Sequence, residues 1–573
     1  MKGLFTFLSK FILKEKRIFI VGLILTGIVS FLTWLGPKII AHIIDDGLVP
    51  GNRQIAMMGV LFLALSEVSR LLSVFFSQVA YAKLGQNVIE RVRTSMVSHL
   101  LKLPIPYFDQ VSSGSMMTRV VNDVNSLTDF FQSGFVMVLG NLASVVAIFA
   151  GLFSLNVKLG LVLLFTFIPI VVLCVFFSRK LRGVYEETRN RLSELNAKLA
   201  DFLFGMRTVR ALGLGERKYK ELSQNVQDYA NAQMKMVGTF ALFHPTLSLG
   251  TGVMLMLLIG MGIPMVASGH LLVGQWVAAL GYVIVLQQPL LEISDRWNFF
   301  LSGMTSVGRI QEVFDEVPES SEGERAPSFQ SIEFKGLNFG YAGSKDHSLR
   351  KVDLEIKRGE WVGVFGESGS GKSTLLQMLY GFYSPSDGAI EWNGKPYSHF
   401  NVQSLRGHFG VVEQFPFLFH GTVRENISLF GRFQFSESEI HAKFKGYPLI
   451  ESLLGMLDFV ISERGENLSM GQKQMITFLR AYLANPEIWV LDEATAFFDR
   501  EAEEEVLRAL DALSDQGITV IQVAHRPEAL VRMRRLISVA KGHVHESTKI
   551  PHAVAQVPAG NLVSDSSGLP VVE

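Results

Sequence analysis

Residues 366–373 have the sequence GESGSGKS, a composition and spacing suited to binding phosphate. Lys372 can reach the outer phosphates of a nucleotide, the Ser373 hydroxyl suits Mg²⁺, and a helix beginning here adds the positive end of its dipole. A β-like run, 361–365, precedes the loop and an amphipathic stretch follows it, which is the context that this motif requires. The backbone can curl around an anion because glycine occupies three positions: Gly366, Gly369 and Gly371. We include three neighbouring hydroxyl side chains among the expected nucleotide contacts: Ser368, Ser370 and Thr374.

A second chemical signal ends the apolar run 488–491, where Asp492 and Glu493 follow directly. An aspartate at the end of a buried strand can hold Mg²⁺ through water, and the neighbouring glutamate can polarise an attacking water molecule. Phosphoryl transfer requires both roles together with neutralisation of the phosphate charge. A hydrophobic run ending in Asp-Glu is weak evidence alone, but combined with the phosphate loop it predicts nucleotide hydrolysis.

Both signals lie within residues 330–546, where short β-like runs alternate with helical stretches. This alternation is typical of a parallel or mixed sheet with crossover helices, so we predict an α/β P-loop ATPase domain over this range. Residues 311–329 are interpreted as a linker. Residues 547–573 contain few bulky apolar side chains and are predicted to form a disordered tail.

The preceding part of the chain, 1–310, is dominated by long apolar stretches. The whole sequence is 48% apolar and only 18% charged. Each stretch has about 19 residues or more, which is enough to cross about 30 Å of hydrocarbon at about 1.5 Å per residue. We therefore predict a multidomain membrane protein with an all-α, six-helix transmembrane domain in the lipid bilayer. The predicted spans are 18–40, 55–80, 134–155, 159–177, 247–267 and 274–296.

Basic residues are distributed unevenly around these spans. They cluster before the first span, between the second and third, and after the fourth, whereas the opposite loops are short and nearly free of them. The positive-inside rule then places both termini and the ATPase domain in the cytoplasm of a multi-pass protein, which we assign to the bacterial inner cell membrane. The connections 81–133 and 178–237 are too long for simple loops and are rich in helix formers. We predict that each forms a pair of long cytoplasmic helical arms.

The net charge and the cysteine content argue against a nucleic-acid partner and against an internal disulfide. The formal net charge is zero, which gives no indication of a nucleic-acid partner. The single cysteine, Cys174, cannot form an internal disulfide, and its apolar surroundings in the sequence predict a buried, inert thiol.

Residues 467–474, NLSMGQKQ, resemble the LSGGQ signature of the ABC transporter superfamily and lie between the phosphate loop and the Asp-Glu strand. The range 1–546 as a whole resembles an exporter-type half-transporter, in which six spans are fused to one ATPase domain. The resemblance implies ATP and Mg²⁺ as cofactors, hydrolysis coupled to alternating access, and a dimer in which each signature contacts the ATP of the opposite subunit. By this resemblance, the residues that contact the ATP of the opposite subunit are Ser469, Gly471 and Gln472. Ser469 is also suited to cap the helix that follows it.

Further positions match family elements residue by residue. Tyr341, in LNFGYAG, matches the aromatic residue that stacks on adenine, and Gln414, in VVEQFPFLF, matches the glutamine that meets Mg²⁺ and senses the γ-phosphate. His525 ends the run ITVIQVAH and matches the switch histidine at the γ-phosphate, and Asp499 matches the D-loop aspartate. The resemblance therefore implies a catalytic set of Glu493, His525 and Gln414. It implies Mg²⁺ ligation by Ser373, Gln414 and Asp492.

Two positions depart from the family pattern. The third signature residue is Met470 where glycine is usual, and the D-loop reads Ala-Phe-Phe-Asp where a small residue and leucine are usual. In asymmetric members of the family, one chain keeps a full catalytic set beside an altered signature, and its partner shows the reverse. We therefore favour a heterodimer with a second, related half-transporter. A homodimer stays open, because the Met470 side chain can point away from the nucleotide.

The sequence defines the transported substrate less well. The resemblance leaves amphiphilic drugs or lipids, moved out of the cytoplasm or the inner leaflet. Glu67 and Arg70 lie in the second span, where ionisable groups are costly, and at this spacing they either serve a substrate or pair with each other. Gln287 and Gln288, before Pro289, either line the path or satisfy a kink. The alternative function is an ABC-type membrane ATPase with a regulatory or channel-like role and no transport.

Overall fold

The computed structural model describes residues 7, 9–131, 136–343, 346–498, 500–524 and 530–547, with the backbone alone at 136, 137, 244, 293–298, 300 and 301. The chain divides into two compact units. The first comprises Met1–Leu103 and Val111–Val317, and the second comprises Pro104–Gln110 and Pro318–Glu573.

The first unit is helical throughout its described residues. Long helices follow one another with short connections, as long apolar and polar helix-forming stretches predict. Its helices are α1 (Lys16–His42), α2 (Arg53–Leu100), α4 (Ser113–Thr118), α5 (Val124–Asp129), α6 (Val136–Leu155), α7 (Val157–Phe204), α8 (Met206–Ala211), α9 (Gly215–Ala267) and α10 (Val273–Asp315). A 3-10 turn at Leu13–Glu15 precedes α1, and π-helical turns occur at Ile43–Leu48 and Arg119–Asp123.

Each predicted span lies within one of these long helices, apart from the first residues of the third span, 134 and 135, which lie outside the described part. In the part of the chain that the structure describes, five helical segments are long and apolar enough to cross a membrane: Ser9–Leu48, Arg53–Leu100, Val138–Leu155, Val157–Phe204 and Gly215–Ala267. The sixth predicted span, 274–296, lies in α10 and is not among them. Its glutamines and its charged residues dilute its apolar content.

The predicted arms are direct continuations of the membrane helices. The second span runs on into the first arm within α2, and the fourth span runs on into the second arm within α7. Each of these two helices has 48 residues, about 72 Å at about 1.5 Å per residue, so each exceeds the hydrocarbon thickness of about 30 Å. Large apolar side chains on the outer faces are exposed, as lipid contact requires, including Leu61, Phe75 and Phe165.

Two close contacts hold the membrane helices against one another. A Cβ atom added at Gly151 in α6 would lie 2.3 Å from the Tyr282 ring in α10, so only glycine permits this approach. The N-terminus of α10 is capped from a distant part of the chain, because the Asp45 carboxylate accepts hydrogen bonds from the backbone N–H groups of Gly274 (2.6 Å) and Gln275 (3.1 Å).

The second unit contains twelve described strands in three sheets. The sheet orders are β12-β11-β3-β10-β9-β6, β2-β1-β4-β5 and β7-β8. Strands β11, β3, β10, β9 and β6 are mutually parallel, whereas β12 pairs antiparallel with β11. The strands are β1 (Ser331–Phe339), β2 (Leu349–Lys357), β3 (Trp361–Phe365), β4 (Asp387–Trp392), β5 (Lys395–Pro396), β6 (Phe409–Val412), β7 (Gly421–Thr422), β8 (Val460–Ile461), β9 (Ile488–Asp492), β10 (Thr519–Val523), β11 (Arg535–Ala540) and β12 (His543–Ser547).

Helices connect these strands and cover the six-stranded sheet. The short helix α3 (Ile105–Gln110) also belongs to this unit, although the predicted transmembrane domain contains it. The remaining helices are α11 (Lys372–Leu379), α12 (Val402–Arg406), α13 (Val423–Ile427), α14 (Glu437–Lys443), α15 (Pro448–Leu454), α16 (Met470–Leu483) and α17 (Arg500–Asp515), with 3-10 turns at Tyr397–His399 and Glu463–Gly465. The predicted fold class, an all-α part joined to an α/β part, is confirmed.

Two hydrophobic cores stabilise the second unit. One lies between the six-stranded sheet and its helices and contains Trp361, Phe478 and Trp489. The other lies between the two larger sheets and contains Phe334 and Trp392. All five residues of β3 and of β10 are buried, as expected of central parallel strands covered on both faces, and they are apolar apart from Thr519 and Gln522. This arrangement brings the carboxyl ends of β3, β10 and β9 to one edge of the sheet.

Candidate functional site

The phosphate loop connects the buried strand β3 to α11 and passes close to other backbone segments. A Cβ atom at Gly366 would lie 2.1 Å from the carbonyl oxygen of Val539, and one at Gly371 would lie 2.7 Å from that of Ser348. Gly371 has φ 112° and immediately precedes the first residue of α11. The glycines are therefore required by close packing as well as by conformation, and together they curl the loop over the N-terminus of the helix.

Lys372 lies across this loop. Its Nζ donates hydrogen bonds to the carbonyl oxygens of Gly366 and Glu367, both at 2.9 Å. Burial lowers the pKa of Lys372, and the carboxylates of Glu493 and Asp492 oppose that shift. The ammonium group is thus held inside the loop by neutral carbonyls, and a phosphate oxygen would be a stronger acceptor for it.

Asp492 and Glu493 lie at the end of β9, two strands away from the phosphate loop. Glu493 has a left-handed backbone conformation, with φ 49°, and its N–H donates to the carbonyl oxygen of Val523 on β10 at 3.2 Å. A non-glycine residue in this conformation costs about 1–3 kcal/mol and is retained only where surrounding contacts enforce it. The chain therefore holds the Glu493 backbone in a defined, unfavourable conformation directly after the strand.

Gln414 follows β6 and contacts Glu493 directly. Its Nε2 donates a hydrogen bond of 2.6 Å to Oε2 of Glu493. The two residues are 79 positions apart in the sequence, and they meet because β6 and β9 are adjacent parallel strands. The structure thus brings together four of the predicted site residues: Lys372, Gln414, Asp492 and Glu493. Lys372 interacts with the charges of Asp492 and Glu493, and Gln414 is hydrogen-bonded to Glu493.

Tyr341, which was predicted to stack on adenine, packs beside α11. Its hydroxyl donates to Oε1 of Gln377 (2.6 Å) and lies 3.1 Å from the Thr374 hydroxyl, so the side chain is anchored to α11. Its ring makes edge contacts with Phe339 and Tyr383. An aromatic cluster beside the helix that follows the phosphate loop is a suitable surface for a purine base.

The signature residues form the N-terminus of α16. The predicted cap is confirmed, because the N–H of Gln472 donates to the Ser469 hydroxyl (3.2 Å) and the N–H of Ser469 donates to Oε1 of Gln472 (2.9 Å). Met470 is the first residue of the right-handed helix, so its backbone does not require glycine. A Cβ atom at Gly471 would lie 3.5 Å from Phe498, an ordinary contact. Within the described residues, no hydrogen bond joins the signature residues to the phosphate loop.

Two predicted site residues, His525 and Asp499, lie outside the described residues. The structure adds two others that sequence reasoning missed. Glu413, next to Gln414 in the sequence, is exposed at the surface, and partial desolvation by the surrounding protein raises the pKa of its carboxyl, an effect opposed by the Arg480 charge. Gln474 is fully buried in α16, and its Nε2 donates to the carbonyl oxygen of Gln414 at 3.4 Å. The available signal for Gln474 was its position inside the segment NLSMGQKQ.

The observed groups fit a bound nucleotide. The Ser370 hydroxyl is buried inside the phosphate loop, and within the described residues it has no hydrogen-bond partner. A buried hydroxyl without a partner is costly, and a phosphate oxygen would satisfy it. The closest approaches at Gly366 and Gly371 leave no room for side chains, and a backbone lined with N–H groups favours an anion. Hydroxyl, amide and carboxylate oxygens are the ligands that Mg²⁺ prefers, and Ser373, Gln414 and Asp492 supply that set.

Comparison with protein families gives two matches. Residues 19–290 match the model described as ABC transporter transmembrane region, and residues 349–496 match the model described as ABC transporter. Together they cover the helical unit and the central part of the α/β unit.

Individual relatives match along most of the chain. An uncharacterised ABC transporter ATP-binding protein of Bacillus subtilis, YwjA, is 30% identical over 522 residues, with 89% of each chain covered. An ATP-dependent lipid A-core flippase of Thiobacillus denitrificans is 29% identical, with 92% of this chain and 91% of the flippase covered. A probable multidrug resistance ABC transporter protein of Bacillus subtilis, YheH, is 29% identical, with 83% of this chain and 72% of YheH covered. A solved structure of a bacterial Atm1-family ABC exporter with ATP bound is 25% identical, with a TM-score of 0.76. The match covers 93% of this chain and 94% of that exporter chain.

Proposed function

Because the chain belongs to the ABC transporter family and is an integral membrane exporter that couples ATP hydrolysis to transport, we propose that it moves an amphiphilic drug or lipid out of the cytoplasm or the inner leaflet. The observation that carries this proposal is a cavity of about 530 Å³ among the membrane helices, lined by both polar and apolar side chains. A mixed lining suits a ligand with a polar group and an apolar body. The relatives named as a lipid flippase and a multidrug transporter support the same substrate class.

The residues at the sheet edge are assigned roles in ATP hydrolysis. Lys372 neutralises charge on the outer phosphates, and the loop N–H groups and Ser370 hold them. Glu493 orients and polarises the attacking water, and Gln414 fixes the Glu493 carboxylate through the hydrogen bond of 2.6 Å. His525 is assigned to the γ-phosphate from the family match. Mg²⁺, when bound, would neutralise developing charge on the phosphates, and Ser373, Gln414 and Asp492 would hold it. Tyr341 is assigned to adenine.

Both termini and the ATPase unit are assigned to the cytoplasm on the distribution of basic residues. This orientation and the transport function are tested together. In inside-out vesicles from cells expressing the chain with its natural neighbours, external ATP is expected to drive uptake of Hoechst 33342 or of a fluorescent phospholipid, because the ATPase sites face the medium. Vesicles of the opposite orientation are expected to show no uptake on external ATP.

A vesicle preparation of the Glu493→Gln variant serves as the control, because it keeps the membrane helices intact. ATP hydrolysis that both probes stimulate without any vectorial uptake would contradict the transport proposal. Uptake only in right-side-out vesicles would reverse the orientation.

The exporter works as a dimer, and we assign the partner to a second, related half-transporter. The support is Met470 at the first helical position of the signature, where its side chain is partly buried beside the capped N-terminus. The neighbouring signature positions Ser469, Gly471 and Gln472 keep the residue types of the family pattern. A homodimer would contain Met470 at both signatures.

Purification of the chain alone in mild detergent tests the heterodimer. We expect low ATPase activity without substrate stimulation, and full activity only after co-purification of a second ABC chain from native membranes on a tag carried by this chain. The Met470→Gly variant is the matched comparison, and it is expected to raise the activity of the chain alone. A stable self-dimer of the unmodified chain, with substrate-stimulated ATPase that is lost on Glu493→Gln, would restore the homodimer.

A further inference from the structure

Glu292 on α10 places a carboxylate in the wall of the cavity among the membrane helices. The residue is about 28 Å along α10 from Val273, at about 1.5 Å per residue, so it lies near one end of a span of about 30 Å. Charged side chains within membrane spans are costly, less so near the end of a span, and they usually face a cavity or a partner. Glu292 faces the cavity, and its environment therefore bears on what the cavity binds.

Neutral amides hold both oxygens of this carboxylate. Gln288 Nε2 donates to Oε1 at 2.9 Å, and Asn141 Nδ2 donates to Oε2 at 3.1 Å. These bonds fix the orientation of the carboxylate, and neither amide carries a charge that would compensate it. Each carboxylate oxygen can accept a further hydrogen bond or contact a cation. Within the described residues, no Lys, Arg or His nitrogen lies within 4.0 Å of Glu292.

Among the described side chains that line the cavity, the other charged one, Arg70, is already paired. Its Nε and a terminal nitrogen donate to Oε2 of Glu67 at 2.9 Å and 2.7 Å, so of the two alternatives left open for this pair, the structure shows mutual pairing. Glu67 therefore neutralises the charge of Arg70, and no described basic side chain neutralises that of Glu292. The remaining polar lining is neutral and includes Thr26 and Tyr81, whose hydroxyls are 2.9 Å apart.

We propose that this cavity binds amphiphiles that carry a positive charge, with Glu292 as the residue that recognises the charged group. This inference rests on the proposed transport function and specifies its substrate class. A lipophilic cation would compensate the Glu292 charge on binding, whereas an anionic lipid would add a second negative charge to the same low-dielectric space. The volume of about 530 Å³ lies in the range of sites for drug-sized ligands.

Equilibrium binding of two probes of similar size tests this assignment. The probes are tetraphenylphosphonium, a lipophilic cation, and triphenylphosphine oxide, which is neutral, measured on the purified nucleotide-free complex in lipid nanodiscs after subtraction of empty nanodiscs. Glu292→Gln keeps the size of the side chain and removes its charge; one of the two acceptor oxygens becomes an N–H donor, which Asn141 or Gln288 can meet by turning its amide so that the oxygen accepts. We expect it to weaken tetraphenylphosphonium binding by about tenfold and to change triphenylphosphine oxide binding by less than about twofold.

Two control variants separate the charge effect from structural roles. Glu312→Gln removes a carboxylate from the same helix outside the cavity, where it pairs with Arg119, and it is expected to change neither affinity. Arg296, whose side chain lies outside the described residues, is one turn beyond Glu292 in the sequence. Arg296→Gln is expected to leave tetraphenylphosphonium affinity unchanged or higher.

The outcomes distinguish this inference from the proposed function. Equal binding of tetraphenylphosphonium before and after Glu292→Gln would overturn the inference while leaving transport intact. Equal losses of both probes in Glu292→Gln and Arg296→Gln would also overturn it, because they would identify a structural ion pair. Failure of the unmodified complex to bind either probe, together with absence of dye uptake in vesicles, would overturn the amphiphile proposal itself.

Discussion

The Glu493→Gln variant is expected to keep ATP binding and to lose ATP turnover at this chain's site by a factor of about 10² or more. Glutamine matches glutamate in size and can still accept a hydrogen bond from Gln414, so the β9 end and the left-handed backbone should persist. The variant cannot accept a proton from the attacking water or polarise it as a carboxylate does. Turnover and nucleotide affinity are measured on the same purified complex.

The matched control for this variant is Glu501→Gln, which removes an exposed carboxylate at the start of α17. That change is expected to leave both quantities within about twofold. Near-normal steady-state hydrolysis in Glu493→Gln would reject Glu493 as the general base, provided that the corresponding glutamate of the partner has been replaced as well, since the second site can otherwise sustain the measured rate.

Lys372→Met is expected to produce a different loss, in which nucleotide affinity and turnover fall together, turnover again by about 10² or more. Methionine preserves most of the side-chain length but removes the charge and both hydrogen bonds to the loop carbonyls. The loop therefore loses the group that neutralises phosphate and part of what holds its own shape. Binding of a fluorescent ATP analogue and steady-state hydrolysis provide the two readouts.

Lys395→Ala, which changes an exposed lysine of the same unit, controls for nonspecific charge effects and is expected to be neutral. The paired results identify each role: Glu493→Gln should bind ATP and fail to hydrolyse it, and Lys372→Met should do neither. A Lys372→Met protein with unchanged ATP affinity would remove the lysine from the phosphate site.

Local sequence was sufficient for the parts of this site that depend on local geometry. The strand at 361–365, a helix following the phosphate loop and the strand ending at Asp492 were predicted, because glycine spacing, apolar runs and helix caps act over a few residues. The Ser469 cap was confirmed, and the open alternative for Glu67 and Arg70 was resolved as a mutual pair, for the same reason. In each case the interacting groups are at most a few residues apart.

The remaining features depend on contacts that no local pattern encodes. The carboxylate of Glu292 meets Asn141 across 151 residues, and Gln414 meets Glu493 across 79. From the sequence, each of the two long helices was predicted as a membrane span followed by a separate cytoplasmic arm, because the composition changes from apolar to polar at the membrane surface. The backbone hydrogen bonding of α2 and α7 continues through that change, because a helix satisfies its own N–H and C=O groups in either solvent.

Because α3 belongs to the second unit, exchanging the ATPase unit between related transporters requires more than the segment after the linker. The gene encodes this helix more than 200 residues before the rest of the unit, yet the Asp109 carboxylate accepts a hydrogen bond from the Tyr383 hydroxyl, whose ring contacts Tyr341. A recombinant ATPase fragment beginning at Pro318 would therefore omit one of its own parts, directly beside the residue assigned to adenine. Successful domain swaps between related exporters will need three junctions, one on each side of residues 104–110 and one at the linker, so that Asp109 and Tyr383 are inherited together.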